Sequence, residues 1–395
     1  MSTDRSTRFV PFSYGFRPFF LLAGIYAVFG VLSWLWVYRS GLMPLGSVPS
    51  QFWHGHEMLY GFVAAAIAGF MLTAVPSWTG SRGYAGKPLQ LLVFLWLAGR
   101  LAFLFAGSLP FWLLAAIELA FVPALMLILA PSLLRTWSRN TPLLLVLLLF
   151  WAGDAMFMLG LANSETVMSA RGLRVGINLV LVLLTVIGGR IVPAFTGNAL
   201  RAHAVPVQMR SSALLDRFTI VAMLAYAIAD IIAPLHSNTG WIALIAALAQ
   251  CVRLSGWQGM RTLSQPIVWV LHVAYLWLPV GLALKALYLL GGFAWAAHWQ
   301  HALGAGAAGT MILAVMTRAS LGHTGRPLVV NRLTIAAYVL LVLAVTIRVF
   351  GAAVLSLPYQ TVVLLAGGLW AAAFSLFVVV YTPVLLLPRC DGKPG

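Results

Sequence analysis

The sequence predicts an all-α protein, a polytopic membrane bundle of about twelve transmembrane helices with both termini in the cytoplasm. Three observations predict it. Of 395 residues, 62% are hydrophobic and only 8% charged, whereas soluble domains average about a quarter charged. The apolar residues come in repeated runs of about 20, the length at which a helix crosses a bilayer core. The basic residues fall very unequally on the two sides of those runs. A soluble globular enzyme, a disordered chain and a collagen-like fibre are excluded by the composition. An outer-membrane barrel is excluded by the runs, because barrel strands alternate over about 10 residues. With no internal repeat, residues 1–395 read as one integral membrane domain.

Taken in order, the runs are Phe19–Tyr38, Phe52–Trp78, Pro88–Ala106, Leu109–Ala130, Pro142–Ala162 and Leu173–Phe195. They continue with Asp216–Leu235, Trp241–Leu254, Pro266–Leu290, Ala297–Ser320, Leu333–Leu355 and Gln360–Leu386. The eighth is the shortest. Pro88, Pro142 and Pro266 suit first-turn positions, where a missing N–H costs little. The brief links Gly107–Ser108 and Leu357–Pro358 favour antiparallel neighbours.

The net charge of +16 would suggest nucleic acid in a soluble protein. Here it orients the chain. With the N-terminus inside, cytoplasmic segments hold 18 of the 24 basic residues, from Arg5, Arg8 and Arg17 through Arg139 to Arg389 and Lys393. The outer segments hold Arg39, Arg171 and Arg174; Arg100, Lys285 and Arg348 lie within runs. The short, basic N-terminus does not read as a cleavable signal. Cys251 and Cys390 form no CxxC or disulfide framework.

Charges inside a bilayer are costly and mark partners or function. Six fall within runs: Arg100, Glu118, Asp154, Asp230, Lys285 and Arg348. Counted at 1.5 Å per residue, all six lie at or beyond the midplane on the outer side. Ion pairs tying helices together would explain them singly. A polar cavity in the outer half explains why they share a leaflet.

Histidine is the commonest ligand for haem iron and copper. His54 and His56 open the second run in Trp53-His54-Gly55-His56-Glu57-Met58, beside His236 and His298 near the same face. Two apart, His54 and His56 cannot share one site on a regular helix, and Glu57 falls on the His54 face. His298 and His301 open the tenth run and share a face. His272 is isolated on an aromatic helix; His203 and His323 fall in cytoplasmic loops. The Gly304–Gly309 stretch would let helices touch closely, or let a flat macrocycle approach the backbone.

Several strings together resemble the NnrS family over nearly the whole chain. They are Phe16-Arg17-Pro18-Phe19-Phe20, the His-Gly-His-Glu-Met string at 54–58, and Gly189-Arg190-Ile191-Val192-Pro193. Further on come Leu271-His272, His301-Ala302-Leu303 and Leu321-Gly322-His323-Thr324-Gly325-Arg326. Gly304 departs from the family's Thr. The resemblance implies a haem- and copper-containing protein of the bacterial inner membrane, associated with denitrification and nitrosative stress. It maps metal ligands onto His54, His56, His272, His301 and His323. The expected haem, b-type, would sit between the second and tenth runs on His301 with His54 or His56, its propionates paired by Arg100, Lys285 or Arg348. On the resemblance, His272 and His323 would belong to a second site, one for copper. Nitric oxide is the expected small-molecule ligand or substrate, and no nucleic acid is expected. From the residues alone, a secondary transporter or a haem-based sensor stands beside this reading.

Overall fold

The computed structural model describes residues 9–41, 48–138, 140–207, 209–210, 212–354 and 356–393. Arg5, Arg8, Arg139 and Leu355, counted above, lie outside the described residues. Among the described residues there is helix and no strand.

The helices are α1 (Phe16–Ser40), α2 (Ser50–Thr79), α3 (Lys87–Leu104), α4 (Phe111–Glu118), α5 (Phe121–Thr136) and α6 (Leu143–Ala162). They continue with α7 (Thr166–Ala202), α8 (Ala213–Ile232), α9 (Ser237–Ser255), α10 (Pro266–Gly291), α11 (Ala294–His323), α12 (Arg332–Val354) and α13 (Tyr359–Leu386). Taking α4 and α5 as one broken stretch, ten of these are long and apolar enough to cross a membrane. The two others, α8 and α9, coincide with the seventh and eighth runs and are 20 and 19 residues long. They are more polar: α8 carries Asp216, Arg217 and Asp230, and α9 opens on Ser237-Asn238-Thr239-Gly240 and holds Gln250 and Arg253.

Several of the spanning helices are apolar on every side, as expected where lipid replaces water. On α3, Leu91, Phe94, Leu97 and Leu101 are exposed, while Leu92, Trp96 and Phe103 are buried. The chain divides into two compact units. The first comprises Met1–Gly176, Arg318–Leu328 and Phe374–Gly395; the second comprises Ile177–Thr317 and Val329–Ala373.

Four helical irregularities stand out. Glu57–Val63, Leu184–Gly188 and Ala302–Gly309 are π-helical, and the fourth apolar run breaks after Glu118. Such widened or broken turns free backbone groups that something else must satisfy. Trp96 Nε1 donates to Gly61 O at 3.0 Å, and Trp151 Nε1 donates to Leu119 O at 3.0 Å. In the second unit, Arg253 Nη1 donates to Thr185 O at 2.7 Å. A Cβ on Gly306 would meet the Trp277 indole at 2.7 Å, and one on Gly309 would meet Trp370 at 2.5 Å. The small residues there receive two indoles, which is close packing in the ordinary sense.

Candidate functional site

The first unit gathers a polar cluster from five helices. His56 sits on α2, one residue before the π-helical segment, and is fully buried. Its Nδ1 lies 2.8 Å from Glu57 Oε1, and its Nε2 lies 3.0 Å from Asp154 Oδ1 on α6. Glu118 Oε1, at the last residue of α4, is 3.7 Å from the same Nε2. Arg100 on α3 reaches across, donating from Nη1 to Glu57 Oε1 at 2.6 Å and from Nη2 to Glu118 Oε1. The Tyr26 hydroxyl on α1 donates to Glu57 Oε2.

The surroundings are apolar. The imidazole lies between Phe103 and Phe157, with ring centroids 4.2 and 4.6 Å away and nearly parallel planes. Trp53, Leu114 and Met158 complete the shell. Glu118 Oε2 is buried without a hydrogen-bond partner among the described residues. Room for it comes from Gly99, where a Cβ would stand 2.8 Å from that oxygen.

Backbone irregularity explains why Glu57 joins His56. On a regular helix Glu57 would project with His54, as the spacing predicts. The π segment begins at Glu57, and its long side chain turns to the neighbouring imidazole and Arg100. The break after Glu118 likewise ends α4 with its carboxylate inside the cluster. His56, Glu118 and Asp154 offer ligand atoms all within 4.8 Å of one another. The arrangement can therefore hold a cation, or hold and pass protons.

The other predicted site residues lie elsewhere. His54 is half-buried and stacks on Trp34, centroid to centroid 4.7 Å. His323, in the same unit, lies against Tyr14 and Phe16. Arg389 donates to the His323 carbonyl at 2.7 Å. In the second unit, His272 Nε2 is 2.8 Å from Thr196 Oγ1, and its ring covers Gly259. His301 is half-buried and precedes the third π segment. Lys285 pairs with Asp230, which also accepts from Asn178 at 2.7 Å. Arg348 Nη1 donates to His298 Nδ1 at 3.3 Å and its Nη2 to the Tyr359 hydroxyl at 3.1 Å.

Glu118 and Asp154 stand out in the sequence as charges within apolar runs, though not as ligands, and the structure brings them to His56. Tyr26 and Glu57 join the cluster without being singled out as site residues. For Glu57 the available signal is that it is one of only 8 acidic residues in the chain and stands on an apolar helix.

Ten helices long and apolar enough to cross a membrane, among the described residues, define a polytopic membrane protein, and its first unit holds a buried imidazole–carboxylate–guanidinium cluster. The family is shown by the sequence itself. The pattern of the NnrS protein family matches residues 10–389, and the chain belongs to that family, a membrane family of the nitric oxide stress response. No curated protein matches it.

Proposed function

We propose that the protein binds or turns over nitric oxide in the bacterial inner membrane, as part of nitrosative-stress defence or denitrification, using haem and copper. The observation that carries this reading is the family match over residues 10–389. Haem and copper would supply the redox chemistry, and the protein's own task would be ligation, field and access.

The residues differ in how well they suit those groups. Both nitrogens of His56 are engaged by carboxylates and both ring faces are covered. An axial bond to haem would have to displace those contacts. His54, in the first unit, and His301, in the second, are each to be tested first as a haem ligand. One imidazole with two carboxylates suits divalent copper; monovalent copper prefers sulfur.

The test is an absorption spectrum of the purified protein, with and without nitric oxide, beside His54→Ala, His56→Ala, His272→Ala and His301→Ala. The reading expects a Soret band that nitric oxide shifts, lost in a specific subset of variants. A colourless protein from haem-replete cells, indifferent to nitric oxide, overturns it. A secondary transporter is the second reading, favoured by the broken stretch Phe111–Thr136 with a buried carboxylate at the break. Solute uptake into vesicles that persists in the His54→Ala/His301→Ala double variant would support it.

A further inference from the structure

We infer that His56, Glu118 and Asp154 form a site for one divalent first-row metal ion, with Glu57 and Arg100 as its outer shell. The inference concerns the same cluster that the copper part of the nitric oxide reading would use, but it is argued from the charge and geometry of these residues and does not require haem.

Charge comes first. Three carboxylates meet one guanidinium: Glu57, Glu118 and Asp154 against Arg100. With all three carboxylates ionised and a neutral imidazole, two negative charges would be unmatched in a membrane-embedded setting, where unpaired charge is costly and has to be met by protons or by a cation. Protonating His56 leaves one. A divalent cation brings the cluster to neutrality; a monovalent one does not.

Hydrogen bonding gives an independent argument. Glu57 Oε1 lies 2.8 Å from Nδ1 of His56; with the ring proton on that nitrogen, Nε2 presents a lone pair. That lone pair faces Asp154 Oδ1, a second acceptor, at 3.0 Å. Two acceptors at that distance need a proton or a cation between them. A carboxylate on the far nitrogen is the usual outer partner of a metal-binding histidine, since it fixes the tautomer and raises basicity. Arg100 holds both Glu57 and Glu118, so outer and inner carboxylates are oriented by one group.

The spacing is close to that of a metal site. Metal bonds of about 2.0–2.2 Å set ligand–ligand edges of roughly 3.0–3.5 Å in octahedral or tetrahedral sites. Of the two Nε2–oxygen separations, the one to Asp154 is 3.0 Å and lies in that range, and the one to Glu118 is 3.7 Å and would have to shorten on binding. Glu118 Oε2, the second oxygen of the same carboxylate, is buried and without a partner among the described residues. Three protein donors are the number found in open zinc sites, whereas structural ones close with four. The donor set is one nitrogen and oxygens, without sulfur, which suits zinc, iron(II), manganese(II) or copper(II) over copper(I).

The experiment uses the full-length protein in detergent, stripped with chelator and titrated with Zn(II) alone, then with Cu(I) under reductant. The expected result is one Zn(II) per chain with weaker Cu(I) binding. Glu118→Gln and Asp154→Asn, close in shape to the native side chains, should each weaken zinc at least about 100-fold. Glu57→Gln should weaken it about 10–100-fold, the range for an outer-shell partner. Circular dichroism and melting of each variant separate lost binding from lost fold; if a variant fails to fold, a Glu118→Asp substitution, shorter by one methylene, should retain zinc with reduced affinity. Folded wild type that takes up no zinc, or zinc binding unchanged in folded Asp154→Asn and Glu118→Gln, overturns the inference. Either result is read without nitric oxide, so it leaves the functional reading separately testable.

Discussion

His56 and His323 both lie in recognisable sequence strings, both belong to the first unit, and both rest against two aromatic rings. Their electrical surroundings are opposite. His56 has three carboxylates and one arginine around it. His323 has Arg389 on its own carbonyl, and Arg17 donates to Leu385 and Leu387 carbonyls nearby in the same unit at 2.9 and 2.7 Å. Those arginines close the C-terminal ends of α11 and α13, where free carbonyls favour cations. A histidine among guanidiniums is a poor place for a metal cation; a histidine among carboxylates is a good one. The residue type and its ring packing do not decide between the two. The neighbours do.

The sharpest way to break this comparison is Arg100→Met. It leaves three buried carboxylates with no guanidinium, and breaking a buried pair costs about 3–5 kcal/mol. A large drop in resistance to thermal or detergent-induced unfolding is expected. Added Zn(II) should recover part of it, because ligand binding to the folded state stabilises by mass action. No recovery with zinc would count against a cation-seeking cluster.

Next in size is the pair of substitutions to phenylalanine. His56→Phe keeps a ring between Phe103 and Phe157 but takes the imidazole from Asp154 and from Glu57, which keeps Arg100 and Tyr26. A loss of about 1–3 kcal/mol is expected, together with loss of metal. His323→Phe keeps its packing on Tyr14 and Phe16 and should cost less than about 1 kcal/mol, with metal content unchanged. Metal loss of equal size in both variants would erase the distinction drawn here. In the second unit, Thr196→Val removes the hydrogen bond between Thr196 Oγ1 and His272 Nε2. About 1 kcal/mol is expected, with no effect on metal content.

The smallest effect is expected at the edge of the arginine-rich region. Hydrogen bonds from Arg389 hold the exposed Asp391 carboxyl well below the usual carboxylate range. Because its pKa is depressed in the folded chain, its contribution is complete above the ordinary carboxylate value of about 4. It fades only as pH falls toward the depressed value. Melting temperatures of wild type and Asp391→Asn should therefore differ by the same small amount at pH 5 and pH 8.

Much of the fold was legible because the bilayer imposes one rule, that backbone polar groups be satisfied internally. The apolar runs fall on helices, and the polar seventh and eighth runs are helical as well. The site was legible in composition and not in register. His56, Arg100, Glu118 and Asp154 stand out as rare polar groups in apolar runs. Their convergence depends on a π segment that begins at Glu57 and a break after Glu118, and a regular 3.6-residue period shows neither. That is why Glu57 reads as His54's neighbour in sequence and bonds to His56 in structure. The Gly304–Gly309 stretch shows the same limit. Its small residues announce close approach, and only the structure names Trp277 and Trp370 as what approaches.

Zinc K-edge X-ray absorption on the zinc-loaded full-length protein tests the central claim most directly. The account predicts a shell of nitrogen and oxygen at about 2.0–2.2 Å, with the multiple-scattering signature of a single imidazole, absent from His56→Phe. Sulfur in the shell, two or more imidazoles, or an unchanged spectrum in His56→Phe would contradict it.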